Sequence, residues 1–157
     1  MTHDNNNSGK YAQNFVQTLQ TPPGMLPPDF EKMYESFATR ILWMDDKVCP
    51  GAFQMNTAWY KSVPEKDPIF PEHEHPYTEI VGFFGSNPDD PNDLGAVIEF
   101  GLNGEMHRLT KSTMIFCPAN AVHGPVRILS VDRPVFHFSV VMNAEYAEAA
   151  DVYSMDS

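Results

Sequence analysis

The pair Asn103–Gly104 separates two β-prone runs, GAVIEFGLNG and EMHRLT. A two-residue connection of this composition adopts positive φ and sends the chain straight back, so the two runs pair as an antiparallel hairpin. The same alternation of apolar run and turn signal recurs from Phe37 onward. SFATRILWM, GAFQMNTAWYKSV, YTEIVGFFG, STMIFCP, GPVRILSV and RPVFHFSVVM bring the candidate strands to eight, punctuated by Gly51, Gly95 and Pro134. Many short strands with close turns and little helix predict an all-β sandwich or barrel.

The flanks read differently. Residues 1–10 hold no apolar anchor and are expected to be disordered. In YAQNFVQTLQ, Tyr11, Phe15 and Leu19 recur every four residues, the spacing of a short amphipathic helix. TPPGMLPPDF has four prolines in ten residues and predicts an irregular extended connection. GSNPDDPNDLG, from Gly85 to Gly95, has no strand character and predicts a surface loop. Its aspartates lack the EF-hand spacing and closing glutamate, so a solvated acidic loop is expected rather than a calcium site. The acidic, Ala-rich end predicts a short, frayed helix. The expected organisation is an N-terminal arm over 1–36, a β-barrel over 37–143 and an acidic tail over 144–157.

Composition narrows the function classes. With 42% hydrophobic residues, 11 Phe and 9 Met in 157 residues, the chain can bury one domain's core. Ten basic residues against 21 acidic give a net charge of −11, which repels nucleic acid and anionic membranes. No apolar run reaches the ~18 residues of a membrane span. Cys49 and Cys117 are too few for a disulfide framework and suit a reducing compartment, and the opening MTHDNNNSGK is polar. The expected location is cytoplasmic.

One β-like run is inconveniently polar: FPEHEHPYTEIVGFFG, Phe70 to Gly85. Side chains alternate along a strand, so His73, His75, Tyr77 and Glu79 project to one side. Imidazoles at i and i+2, roughly 7 Å apart, can converge on one ion, and the Glu79 carboxylate can add a third donor. A mixed His/carboxylate set suits Fe(II), Mn, Ni or Zn. The alternative is that both histidines face solvent and the alternation is coincidence. Pro76 cannot donate to a ladder, which favours an edge or a bulge. Further on, CPANAVHGPVRI places His123 five residues after Pro118 in a turn-like segment between β-rich runs.

With H-E-H-P-Y-T-E and P-A-N-A-V-H, the chain resembles the cupin superfamily, whose motifs read G-x5-H-x-H-x3/4-E-x6-G and G-x5-P-x-G-x2-H-x3-N. The resemblance spans roughly Phe37 to Met142. It implies a double-stranded β-helix, or jelly-roll barrel, in which His73, His75, Glu79 and His123 are the four protein ligands of one divalent metal. Asp67 stands where the first motif opens with Gly, and Gly85 falls one residue short of its closing Gly. Ser112, Asn120 and Arg127 replace the Gly, Gly and Asn of the second motif. Asn tolerates left-handed backbone angles, so Asn120 can make the same turn.

Four protein ligands leave one or two positions on a five- or six-coordinate ion for water, dioxygen or a chelating substrate. The favoured function is an Fe(II)-dependent dioxygenase or related oxidoreductase acting on a small, partly apolar substrate with a chelating oxygen pair. The alternatives are a Lewis-acid Mn, Ni or Zn isomerase, lyase or cyclase, and a non-catalytic small-ligand binder. In PVFHFSVVM, Val135, His137, Ser139 and Val141 share a face, so His137 is a candidate acid/base group if that face is inward, and otherwise a satisfied histidine at the barrel end. Tyr77 is a second candidate, for holding substrate or for packing. Glu99 could accept from a ligand imidazole or face solvent. Cys117, inside an apolar run, reads as an inert buried thiol. The resemblance also implies a homodimer.

Overall fold

The computed structural model describes residues 9–20, 26–142 and 155. The disorder expected at the start of the chain and the helix expected in its tail fall largely on residues 1–8, 143–154 and 156–157, outside the described residues.

All eight candidate runs form strands: β1 Ala38–Met44, β2 Gln54–Tyr60, β3 Glu79–Phe84, β4 Asp93–Leu102, β5 Glu105–Lys111, β6 Thr113–Cys117, β7 His123–Val131 and β8 Val135–Val141. They make two antiparallel sheets, one of five strands in the order β1-β2-β8-β3-β6 and one of three in the order β5-β4-β7. The β4–β5 hairpin turns at Asn103 and Gly104, with φ of 48° and 80°. The two sheets face each other across a core that includes Tyr60, Phe83, Ile98, Phe100, Ile128 and Val135. This is the jelly-roll barrel the strand pattern and the motifs imply. No helix among the described residues is long and apolar enough to cross a membrane.

The N-terminal region departs from the sequence reading. Residues 12–14 form only a short 3₁₀ turn, and Tyr11, Phe15 and Leu19 are exposed. The helix begins in the last three residues of the stretch expected to be irregular and runs on beyond it: α1 spans Pro28–Phe37. Its first residue is a proline, the one helical position where a missing N–H and a fixed φ cost nothing, and Asp29 and Glu31 complement the helix dipole in the first turn. Phe30, Met33, Tyr34 and Phe37 fall on one face and are buried. Phe37 packs on Tyr60 at 5.3 Å between ring centres and Phe30 on Phe70 at 5.9 Å, so α1 closes one side of the barrel.

Register decides what faces the interior. Directly opposed residues of antiparallel strands share a face. Gln54, Val141 and Glu79 form one inward row, Asn56, Ser139 and Val81 the next, and Ala58, His137 and Phe83 a third. Met55, Val140, Ile80 and Phe116 form an outward row across the same sheet, and Met55, Ile80 and Phe116 are exposed.

The acidic Gly85–Gly95 segment is a surface connection that gives way to β4 at Asp93. Ser112 Oγ ties it down, donating to the Pro91 carbonyl at 2.6 Å and accepting from the Gly85 N–H at 3.0 Å. A Cβ on Gly85 would meet the Asp93 carbonyl, so the approach excludes any side chain. Other departures from the motifs also meet one another. Arg127 donates to both oxygens of Asp67, at 2.9 and 2.8 Å, and to Glu99 at 3.1 Å. Asn120 takes the left-handed turn, with φ of 62°.

Candidate metal centre

His73, His75, Glu79 and His123 come together on the inside of the barrel, with one donor atom from each lying within 4.8 Å of the others. Main-chain pairing places them. His73 and His123 exchange both ladder hydrogen bonds, at 3.0 and 2.9 Å, which sets residues from the two motifs side by side. Glu79 opens β3 opposite Cys117 on one side and Val141 on the other. Asn120 N–H donates to the His75 carbonyl at 2.9 Å, fastening the second motif's turn to the first motif.

The strand alternation that suggested this group is not what builds it. Residues 74–78 are not strand, and the ladder resumes only at Glu79 beyond Pro76. Convergence survives because His73 is held by its pairing with His123 and Glu79 by β3. Tyr77 is displaced by the same break. It does not line the cavity beside the group but stacks on the His75 ring, 4.3 Å between centres and 17° from parallel. Glu72 and Glu74 face solvent.

Each of the three imidazoles is oriented in the same way. His73 Nδ1 lies 2.9 Å from the Pro71 carbonyl, His75 Nδ1 2.8 Å from that of Tyr77, and His123 Nδ1 2.9 Å from that of Ala121. A carbonyl only accepts, so each ring donates Nδ1–H, and in the neutral ring Nε2 carries the lone pair. Glu99, considered as such an acceptor, is engaged by Arg127 instead.

These lone pairs face a carboxylate. His75 Nε2 lies 2.9 Å and His123 Nε2 3.1 Å from the same Glu79 oxygen. The His123 approach lacks hydrogen-bond geometry, leaving that buried nitrogen without a hydrogen-bond partner. Burial pushes the Glu79 carboxyl upward, but hydrogen bonds from His123 and His75 when those rings are protonated, and then their positive charge, outweigh it and hold the group at about 2, as a carboxylate. With neutral rings, acceptors face acceptors in a buried site and repel; a proton on each ring or one metal ion between the donors relieves that repulsion. Donors at right angles around an ion with ~2.1 Å bonds stand about 3.0 Å apart, which matches both contacts. The donor set therefore fits a divalent transition metal, which His73, His75, Glu79 and His123 would hold.

The adjoining cavity, about 80 Å³, is walled by Phe30, Phe83 and Phe100 and reached by Gln54, Asn56 and His137. His137 stands on the inward face of β8, between the rings of Tyr60 and Phe83 at 4.8 and 4.9 Å, and its Nδ1–H donates to the Gly82 carbonyl at 3.0 Å. Burial lowers its pKa to about 4, against a partial upward pull from the Gly82 bond, so the ring is neutral near pH 7. Burial, followed by the Glu79 charge, pushes the Cys117 thiol up to about 12, leaving it inert. The polar residues of β2 were not singled out from the sequence. The signal was present in QMNTAWY, where Gln54 and Asn56 alternate onto the face that carries Ala58 and Tyr60.

Two antiparallel sheets close around a largely buried three-histidine, one-glutamate group, an arrangement like the jelly-roll barrel of the cupins. No protein-family model matches the chain, and no curated protein matches it. Among solved structures, the chain is similar to KdgF from Halomonas sp., at 15% identity over 66% of this chain and 76% of that one, TM-score 0.40. It is similar to an RmlC-like cupin from Shewanella frigidimarina, at 12% identity over 57% and 65%, TM-score 0.38. It is also similar to a recombinant oxalate oxidase in complex with glycolate, at 13% identity over 85% and 61%, TM-score 0.49. The strand order and the donor group, rather than these likenesses, define the fold.

Proposed function

We propose that the chain is a mononuclear metal-dependent enzyme of the cupin type, with His73, His75, Glu79 and His123 holding one divalent ion. Fe(II) is the favoured ion and Mn, Ni and Zn the alternatives. The favoured activity is that of a dioxygenase or related oxidoreductase on a small, partly apolar substrate that chelates through oxygen. The observation that carries this reading is the set of three imidazoles, each fixed through Nδ1, aimed with a carboxylate at one buried point. When bound, the ion supplies open positions for a chelating substrate and Lewis-acid polarisation of it.

The chain's own residues supply the rest. Phe30, Phe83 and Phe100 exclude water around the carbon skeleton. His137, neutral and donating through Nδ1, keeps an acceptor at Nε2 and can take a proton from a bound substrate. Tyr77 acts as a positioning residue for His75, through its ring and its carbonyl. A neutral base beside a metal also favours the second reading, a Lewis-acid isomerase, lyase or cyclase, which needs proton transfer and no oxygen. The homodimer is part of this proposal, supported by the exposed apolar row on the larger sheet, and light scattering at the mass of one chain refutes it.

The test is metal analysis by mass spectrometry, followed by oxygen uptake with phenolic and keto-acid substrates. The expected result is about one metal per chain, lost in His75→Ala, with oxygen consumed. Metal well below one per chain and unchanged by the substitution sinks the site. Turnover without oxygen uptake selects the Lewis-acid reading.

A further inference from the structure

Among the described residues, Gln54 is a fully buried polar side chain of the cavity that the metal centre and its supports leave unused. It opens β2 at 0% exposure and lines the cavity, and neither its Oε1 nor its Nε2 has a hydrogen-bond partner among the described residues. Because both ends of the amide are unpartnered, exchanging its O and N leaves the observation intact. Burying a polar group unpaired is costly, and an apolar side chain of the same shape would avoid the cost, as Val141 does beside it.

Its place is fixed by register. Gln54 pairs with Val141, and Val141 with Glu79, so Gln54 and Glu79 project from one face two strands apart. Two strand spacings set them roughly 9.6 Å apart. Both residues line the same cavity of about 80 Å³, which admits a molecule of only a few carbons between them.

We propose that Gln54 determines substrate specificity, holding a hydroxyl or amide group at the end of a small molecule whose other end chelates the metal. The inference rests on the metal reading above. The chemistry of the amide selects the class. A hydrocarbon end would leave both amide functions unpaired, and a carboxylate would satisfy Nε2 while setting its charge against Oε1. Hydroxyl and amide groups both donate and accept, so they alone serve the whole side chain.

The test compares 2-hydroxybutanoate with 2,4-dihydroxybutanoate, which share a chelating head and differ by one remote hydroxyl. Binding is measured by calorimetry on the full chain loaded with Mn(II). Wild-type protein is expected to prefer the dihydroxy compound by about tenfold, the worth of one hydrogen bond. Gln54→Met is expected to erase that preference, to bind 2-hydroxybutanoate as before, and to melt at a higher temperature than wild type without ligand. No preference in the wild type, or a preference that survives Gln54→Met, overturns the role of Gln54 alone. A melting temperature that falls marks Gln54 as a structural residue and overturns it too. If metal analysis finds no ion in the wild type, the metal reading fails first and takes this inference with it.

Discussion

His137 allows the interior of the barrel to be tested without knowing the substrate. Its ring is enclosed by Tyr60 and Phe83, and burial lowers its pKa from 6.5 to about 4. Above pH ~6.5 the ring is neutral both folded and unfolded and has no effect on the slope of stability with pH. Below that the unfolded chain takes up the proton while the folded one refuses it until about pH 4, so stability falls as pH falls through this window. At 1.36 kcal/mol per unit the full penalty is about 3 kcal/mol. The perturbation is His137→Phe, which keeps an aromatic ring in the stack and removes the titrating group. Urea midpoints are measured from about pH 7 down to about pH 4.5 with EDTA present, so that loss of metal in acid does not enter. Stopping there also excludes Glu79, whose depressed pKa withdraws stability only as pH falls from 4.5 toward about 2. The wild type should lose about 2–3 kcal/mol more than the variant across this range. Parallel curves for the two proteins would refute the buried, neutral imidazole.

Phe37→Ala should cost about 3–5 kcal/mol by chemical denaturation, because Phe37 is fully buried between α1 and Tyr60. Gly104→Ala should cost about 1–2 kcal/mol, since the site has open space but φ is +80°. A larger loss would mean that the turn is packed. Stripping the metal with a chelator should lower the melting temperature, and restoring free metal at a hundred times its Kd should return about 2.7 kcal/mol. A melting curve indifferent to metal would contradict the site.

The strands were legible because turn chemistry and β-prone runs agree at every boundary, down to the positive φ of Asn103 and Asn120. The helix was not, because Pro27 and Pro28 read as a breaker when Pro28 in fact begins the helix, and only the buried face of Phe30, Met33, Tyr34 and Phe37 reveals the period. Of the site, the four donors were visible as spacing and as motif. The reason they meet was not, since strand alternation fails between His75 and Glu79 and the pairing of His73 with His123 replaces it. Nor could spacing show that Tyr77 stacks on the His75 ring instead of lining the cavity. Gln54 was hidden for another reason: an isolated glutamine in a strand carries no meaning until its burial and its empty hydrogen bonds are seen.

The ladder between His73 and His123 also bears on the order of assembly. Three donors sit within the seven positions from His73 to Glu79, whereas joining His73 to His123 closes a loop of fifty residues, 123 minus 73. Closing such a loop costs about 3.5 kcal/mol of chain entropy, beyond a constant, before any contact in it repays the loss. An ion caught early by the local three would hold an open position for the fourth and shorten the search for it. Refolding begun with metal present should then outpace refolding to which metal is added at the end, which would make the ion a guide to the chain's own closure as well as a reagent.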